Sequence, residues 1–201
     1  MNIFPKAGRL PLLPTILVGL AAAAMVALGL WQLRRAGEKD AMFARIEAAM
    51  AAPPAPLPQE LDDGLDWRRF RVECAALEPA GEISLYGETP RGARLVNLYR
   101  CDRGDADPLL VAAGLSNRVA GNVPPPLPPR GFAGRLLINV GNAPLPVLYA
   151  EDAAVGAGAV AQPDPGRIAD NHLLYALQWF FFAAAAVVVY GLALRKRRGR
   201  A

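Results

Sequence analysis

Two long segments without charge constrain this 201-residue chain more than any other feature. No Asp, Glu, Lys or Arg occurs in residues 10–33 or in residues 173–194. An α-helix rises about 1.5 Å per residue, so roughly 20 apolar residues cross a hydrocarbon core of about 30 Å. Both segments reach that length, and we predict two transmembrane helices.

The charged residues are divided unequally around these segments. The tails, residues 1–9 and 195–201, contain seven basic residues and no acidic one, whereas residues 34–172 contain 15 basic and 18 acidic residues. Because basic loops stay on the cytoplasmic side, we predict that both tails are cytoplasmic and that the middle of the chain is external. Five basic residues in the last tail indicate contact with lipid headgroups, and we expect no nucleic-acid partner.

A cleaved signal peptide is the alternative for the first segment, which has a basic start and a run of alanines at residues 21–24. The apolar stretch is longer than a usual signal core, however, and it continues through Trp31 into Arg34 and Arg35 without a break. Trp is a common anchor at the end of a membrane span. We therefore favour a retained helix.

A helix is also predicted for residues 34–52, which contain no proline. Met42, Ile46 and Met50 follow each other at intervals of four and share one face. Prolines at positions 53, 54, 56 and 58 then end the helical pattern. We expect a stalk helix that leaves the membrane and packs on the external domain.

Short alternating runs replace the helical pattern in residues 66–150. The predicted strands lie at residues 70–74, 82–86, 95–101, 109–115, 135–140 and 146–150, with Gly, Pro, Asp and Asn between most of them. This spacing predicts a small antiparallel sheet or partial barrel, so the fold class is an α+β membrane protein. Cys74 and Cys101 lie in predicted strands, where either a disulfide or two buried thiols would fit.

The second apolar segment opens with the only histidine of the chain. On a helix, His172, Tyr175 and Trp179 share one face, at the same membrane depth as Trp31 in the first segment. One interpretation is an aromatic belt with a helix-capping histidine. The other is a binding site, because a neutral imidazole among aromatic rings can be an axial ligand of haem iron.

Three segments resemble the surfeit locus one family. They are residues 29–35 (GLWQLRR), residues 171–180 (NHLLYALQWF) and residues 66–72 (DWRRFRV), which are similar in order and spacing to the blocks of that family. One segment departs from the pattern. The family has an Asn-Arg-Gly-Trp-Val-Pro type sequence in its external domain, whereas residues 112–117 read AAGLSN here and keep only Gly114.

The resemblance implies an assembly factor for haem–copper terminal oxidases such as cytochrome c oxidase, not an enzyme. It implies a bacterial inner-membrane protein with a periplasmic domain, which binds haem a and escorts it to the large catalytic subunit of the oxidase, together with other assembly factors. His172 would bind the haem iron, beside Trp31, Tyr175 and Trp179. The alternative is a scaffold without a cofactor, which binds a nascent oxidase subunit.

Overall fold

The computed structural model describes residues 11–80, 85–89, 92–117 and 123–198. The helices and strands, in chain order, are α1 Leu12–Ala51, β1 Ala55–Pro56, β2 Arg69–Cys74, β3 Ala76–Pro79, β4 Tyr86–Thr89, β5 Gly92–Arg103, β6 Ala106–Leu115, β7 Arg130–Leu137, β8 Val147–Ala150 and α2 His172–Arg198. They form two compact units. The first contains the chain up to Met42 and from Ile168 onward, and the second is Phe43–Arg167.

One unbroken helix, α1, covers both the first apolar segment and the predicted stalk. It ends at Ala51, directly before the prolines at positions 53 and 54. Both α1 and α2 are long and apolar enough to cross a membrane, by length and composition. On the stalk, Ile46 is buried and Met42 and Met50 are half-buried. The docking of this face on the external sheet, and the membrane limits at residues 10–33 and 173–194, stay predictions.

In the first unit, α1 and α2 pack against each other in antiparallel directions. The least exposed residues of α1 recur at alternating intervals of three and four, which is the spacing of a left-handed helix pair. They are Thr15, Val18, Ala22, Met25, Gly29, Gln32, Ala36 and Lys39. The matching residues of α2 are His172, Ala176, Trp179, Ala183, Ala186 and Tyr190. The many small residues in these two rows let the helix backbones approach closely.

The second unit is a curved sheet with the strand order β1-β2-β7-β8-β6-β5-β3, and β4 pairs with β5. β2 and β3 are joined through the single residue Ala75, yet β2 pairs with β7 whereas β3 pairs with β5. This one-residue connection brings β2 against the β5–β3 side of the sheet, which is the arrangement of the predicted partial barrel. The Ala75 N–H donates to the Asp102 carbonyl at 2.8 Å where the edges join.

A disulfide between Cys74 and Cys101 crosses the same junction. This bond decides between the two alternatives that the sequence left open for the cysteines. Both residues lie in the main apolar core, with Phe70 of β2, Tyr99 of β5 and Leu148 of β8. A second, smaller core covers the opposite faces of β5, β6 and β8.

The sheet departs from the sequence prediction in several places, and β1 and β3 have no counterpart among the predicted strands. The β1–β2 and β6–β8 pairs are parallel. Strand β8 lies between β6 and β7, and it runs parallel to β6 and antiparallel to β7. The strand predicted at residues 135–140 ends at Leu137 and begins earlier, at Arg130, where small residues hide the alternation. Of the strand predicted at residues 82–86, Leu85 and Tyr86 lie within the described residues, and β4 begins at Tyr86.

Candidate functional site

The candidate site lies where α2 begins, at the His172 end of the helix pair. The Asp170 carboxylate accepts a hydrogen bond from the His172 backbone N–H at 3.3 Å, and the Asn171 carbonyl accepts one from the Tyr175 N–H at 3.1 Å. A side-chain acceptor at this position satisfies an N–H that the helix itself leaves unpaired. The start of α2 at His172 is therefore determined by the two residues that precede it.

The imidazole of His172 is held by Gln32 of α1. Gln32 Oε1 lies 2.8 Å from His172 Nδ1, and both side chains are half-buried between the helices. A carboxamide oxygen only accepts hydrogen bonds, so this contact places the imidazole proton on Nδ1. In that neutral tautomer, Nε2 keeps its lone pair and is able to bind a metal ion.

Further contacts hold the two helices together near this site. Lys39 Nζ donates to the Ala169 carbonyl at 3.2 Å. One turn before Gln32, a Cβ at position 29 would lie 2.5 Å from the Phe180 ring, so the absence of a side chain at Gly29 allows Phe180 of α2 to pack against α1. At the opposite end of the helix pair, the hydroxyls of Thr15 and Tyr190 lie 2.6 Å apart. Polar contacts thus fix the pair at both of its ends.

Within the described part of the chain, the three aromatic residues predicted for the site, Trp31, Tyr175 and Trp179, make no hydrogen bond to His172, unlike Gln32. Trp31 and Tyr175 are 50% and 49% exposed, so about half of each residue's surface is accessible to a lipid or a ligand. Trp179 is half-buried, and its ring packs edge-on against Phe182 at a centroid distance of 6.3 Å.

Gln32 is the site residue that sequence reasoning missed. The sequence already places Gln32 at the same membrane depth as His172. It also shows that Gln32 is a polar residue inside an apolar run, which is rare. The two residues are 140 positions apart, however. A hydrogen bond between them requires the register of the helix pair, which the sequence pattern did not supply.

The family-like block at residues 66–72 forms the junction between β2 and β7. Asp66 Oδ1 accepts from the Ile138 N–H at 2.9 Å, and Trp67 has a positive φ of 64°. The Trp67 carbonyl accepts from Arg135 Nη1 at 2.7 Å, and its N–H donates to the Leu136 carbonyl at 2.9 Å. These bonds hold a backbone conformation that is rare outside glycine. They give the block a structural role in holding the start of β2 against the end of β7.

Two arginines at this junction, Arg69 and Arg135, interact electrostatically with Glu151. Arg69 forms a two-pronged ion pair with Glu151, and this pair raises the pKa of Arg69. Burial lowers the pKa of Arg135, and the neighbouring Arg69 lowers it further. Glu151 therefore offsets the charge of one of these two arginines.

The segment at residues 112–117, which departs from the family pattern, ends strand β6. Gly114 has a φ of 153°, and a Cβ there would lie 2.0 Å from the Val155 carbonyl oxygen. The Ala113 carbonyl accepts from the Ala154 N–H at 2.8 Å, so the following loop packs directly on β6. The glycine that this chain shares with the family pattern is therefore required by backbone packing.

Comparison with protein families gives one match. The model of the SURF1 family matches residues 19–184, which include Gly29, Gln32, His172 and Trp179. No curated protein matches the chain.

Proposed function

The chain belongs to the SURF1 family, and we propose that it binds haem a through His172 and escorts it to the catalytic subunit of a haem–copper terminal oxidase. The family is one of cytochrome oxidase assembly factors and is not a class of enzymes. Membership therefore gives the general role in oxidase assembly. The haem, its ligand and the direct partners are the proposal.

The free Nε2 of His172 is the observation that carries this proposal. Haem iron takes a neutral imidazole as an axial ligand. His172 is the only imidazole in the chain, and the Gln32 contact leaves Nε2 as the lone-pair nitrogen whenever the ring is neutral. When bound, the haem would supply the redox-active iron that the oxidase needs, whereas this chain supplies only the ligand and the site.

The surroundings of His172 suit a broad apolar ring with carboxylates on one edge. Trp31 and Tyr175 offer exposed aromatic faces, and the neighbouring Leu173 and Leu174 are 60% and 67% exposed. Asp170 and Asn171 mark the polar end of the helix, where water or headgroups would solvate the haem propionates. Trp31, Tyr175 and Trp179 are the residues that we propose to contact the macrocycle.

The Cys74–Cys101 disulfide supports a periplasmic position for the β-barrel. Disulfides persist in oxidising compartments and are rare in the cytosol. The seven basic residues of the two tails favour the same orientation. We therefore place both termini in the cytoplasm and the chain in the bacterial inner membrane, beside the oxidase subunit and other assembly factors that it serves.

The test is purification of the full chain in mild detergent from cells that make haem a. We expect the wild-type protein to co-purify with haem, identified by its Soret band and by pigment extraction. His172→Ala removes the ligand atom with little loss of packing, so it should lose the haem and lower oxidase assembly while its amount in the membrane stays unchanged. Gln178→Ala, an exposed polar position on the same helix, is the matched control and should retain the haem.

Two results would contradict this proposal. Haem bound to His172→Ala at wild-type occupancy, with the same Soret band, would exclude His172 as the ligand. Wild-type protein that carries no haem but still co-purifies with an oxidase subunit would support the scaffold without a cofactor, in which the Gln32–His172 bond only joins two helices.

A further inference from the structure

We propose that Gln32 is a positioning residue, which selects the tautomer of His172 and thereby makes Nε2 available to iron. This inference rests on the proposed function, since it concerns the same site. Gln32 does not touch the iron in this scheme. It acts through the imidazole, as the outer partners of metal-binding histidines do.

The first step is the direction of the hydrogen bond. Gln32 Oε1 lies 2.8 Å from His172 Nδ1, and an amide oxygen has no proton to give. The imidazole must therefore donate from Nδ1. The hydrogen bond made by one ring nitrogen decides which nitrogen of a neutral histidine carries the proton.

The second step is the environment that enforces this choice. Gln32 belongs to the row of least exposed residues of α1, and His172 to that of α2, so both side chains are partly shielded from solvent. Gly29, one turn before Gln32, lets Phe180 pack against the α1 backbone and keeps the two helices close. Hydrogen bonds are stronger in such a low-dielectric setting than in water.

The third step is the consequence for the second nitrogen. The hydrogen bonds of His172 in the described residues are made by its backbone N–H and by Nδ1, so none occupies Nε2. With the proton on Nδ1, this nitrogen is the ligand atom. The opposite tautomer would place a proton on Nε2 and block iron binding until it was removed.

The tautomer is measurable without haem, because the chain contains one histidine. Full-length protein labelled with ¹⁵N-histidine, in detergent and without haem, gives one pair of ring-nitrogen signals. At about pH 8.5, where an ordinary imidazole is neutral, we expect the protonated-type signal at Nδ1 and the lone-pair type at Nε2. Gln32→Leu should shift the proton towards Nε2. Gln32→Glu retains an acceptor oxygen and should keep it on Nδ1.

Haem titration of the same preparations gives the second readout. Loss of an outer partner of a metal-binding histidine typically weakens binding by about 10- to 100-fold, and we expect that loss for Gln32→Leu. Gln32→Glu should bind haem with an affinity near that of the wild type. Its Soret band should be shifted, because the carboxylate charge makes the imidazole a stronger electron donor to the iron. Gln178→Leu is the matched control and should change neither the tautomer nor the affinity.

The outcomes separate this inference from the proposed function. A wild-type histidine protonated on Nε2 overturns the inference, even if Gln32→Leu fails to fold. So does a Gln32→Leu protein with an unchanged tautomer, or with a changed tautomer and wild-type haem affinity. If the tautomers behave as expected but the wild-type protein binds no haem, the tautomer assignment stands and the proposed function fails.

Discussion

At the residue scale, Gly29 determines how closely α1 and α2 approach each other. A Cβ at position 29 would lie 2.5 Å from Cε1 of Phe180, whereas a Cβ at Gly19 in the same helix would have no neighbouring atom within 4 Å. The two glycines therefore provide a matched pair in one helix. Only Gly29 is in contact with the opposite helix.

We expect Gly29→Ala and Gly19→Ala to have opposite effects on the free energy of unfolding. Alanine is a better helix former than glycine by about 1 kcal/mol, which favours both variants. At position 29, displacement of the Phe180 ring should cost about 1–3 kcal/mol. Unfolding in mixed detergent micelles, followed by circular dichroism, measures both. Equal effects at the two positions would show that the close Gly29–Phe180 contact contributes nothing.

The site residues differ in how well the sequence alone predicts them. His172 was predictable because it is the only imidazole and opens an apolar segment. Trp31 and Tyr175 were predictable as boundary residues, since aromatic side chains favour that depth. Gln32 was not, because its role depends on a partner 140 residues away. The glycine requirement at position 114 likewise depends on a loop that comes later in the chain.

At the element scale, closure of the barrel depends on the short connection from β2 to β3. A run that reads as one strand pairs with β7 up to Cys74 and with β5 from Ala76. The sequence predicted β2, β5, β6 and β8 from their alternation, but not this exchange of partners. The contact rows of the helix pair were equally hidden, because the uncharged segments at residues 12–33 and 173–194 are apolar on every side and small residues do not stand out among them.

Removing the Cys74–Cys101 disulfide should destabilise the barrel without changing its strand order. The bond closes a loop of 27 residues, and the chain entropy that such a loop removes from the unfolded state corresponds to about 3.5 kcal/mol. We expect the Cys74→Ala/Cys101→Ala protein to lose about that much unfolding free energy. Urea unfolding of the full chain in detergent, followed by near-ultraviolet circular dichroism, measures the loss.

Reductant provides the control for the disulfide prediction. Dithiothreitol should lower the unfolding midpoint of the wild-type protein towards that of the double variant, and it should not affect the double variant. A wild-type midpoint that is the same with and without reductant, under conditions where the thiols are shown to be reduced, would mean that the main-chain junction at Ala75 closes the barrel unaided.

At the scale of the whole molecule, the division of charge carries the most information. The tails contain only basic residues, and residues 34–172 have more acidic than basic ones. Length and hydropathy predicted the two helices, and charge predicted the sides of the membrane. Neither property identifies a ligand. The candidate function therefore depends on one imidazole and on the family to which the chain belongs.

The predicted orientation is testable by labelling single cysteines, because the chain has two cysteines and both are in the disulfide. Asp105 lies exposed in the turn between β5 and β6, and Arg198 is exposed at the end of α2. An impermeant maleimide should label Asp105→Cys in intact spheroplasts, and Arg198→Cys only after the membrane is permeabilised. The positive-inside bias of seven basic residues is the physical reason. Labelling of Arg198→Cys in intact spheroplasts, with Asp105→Cys protected, would reverse the orientation and leave the disulfide on the reducing side of the membrane.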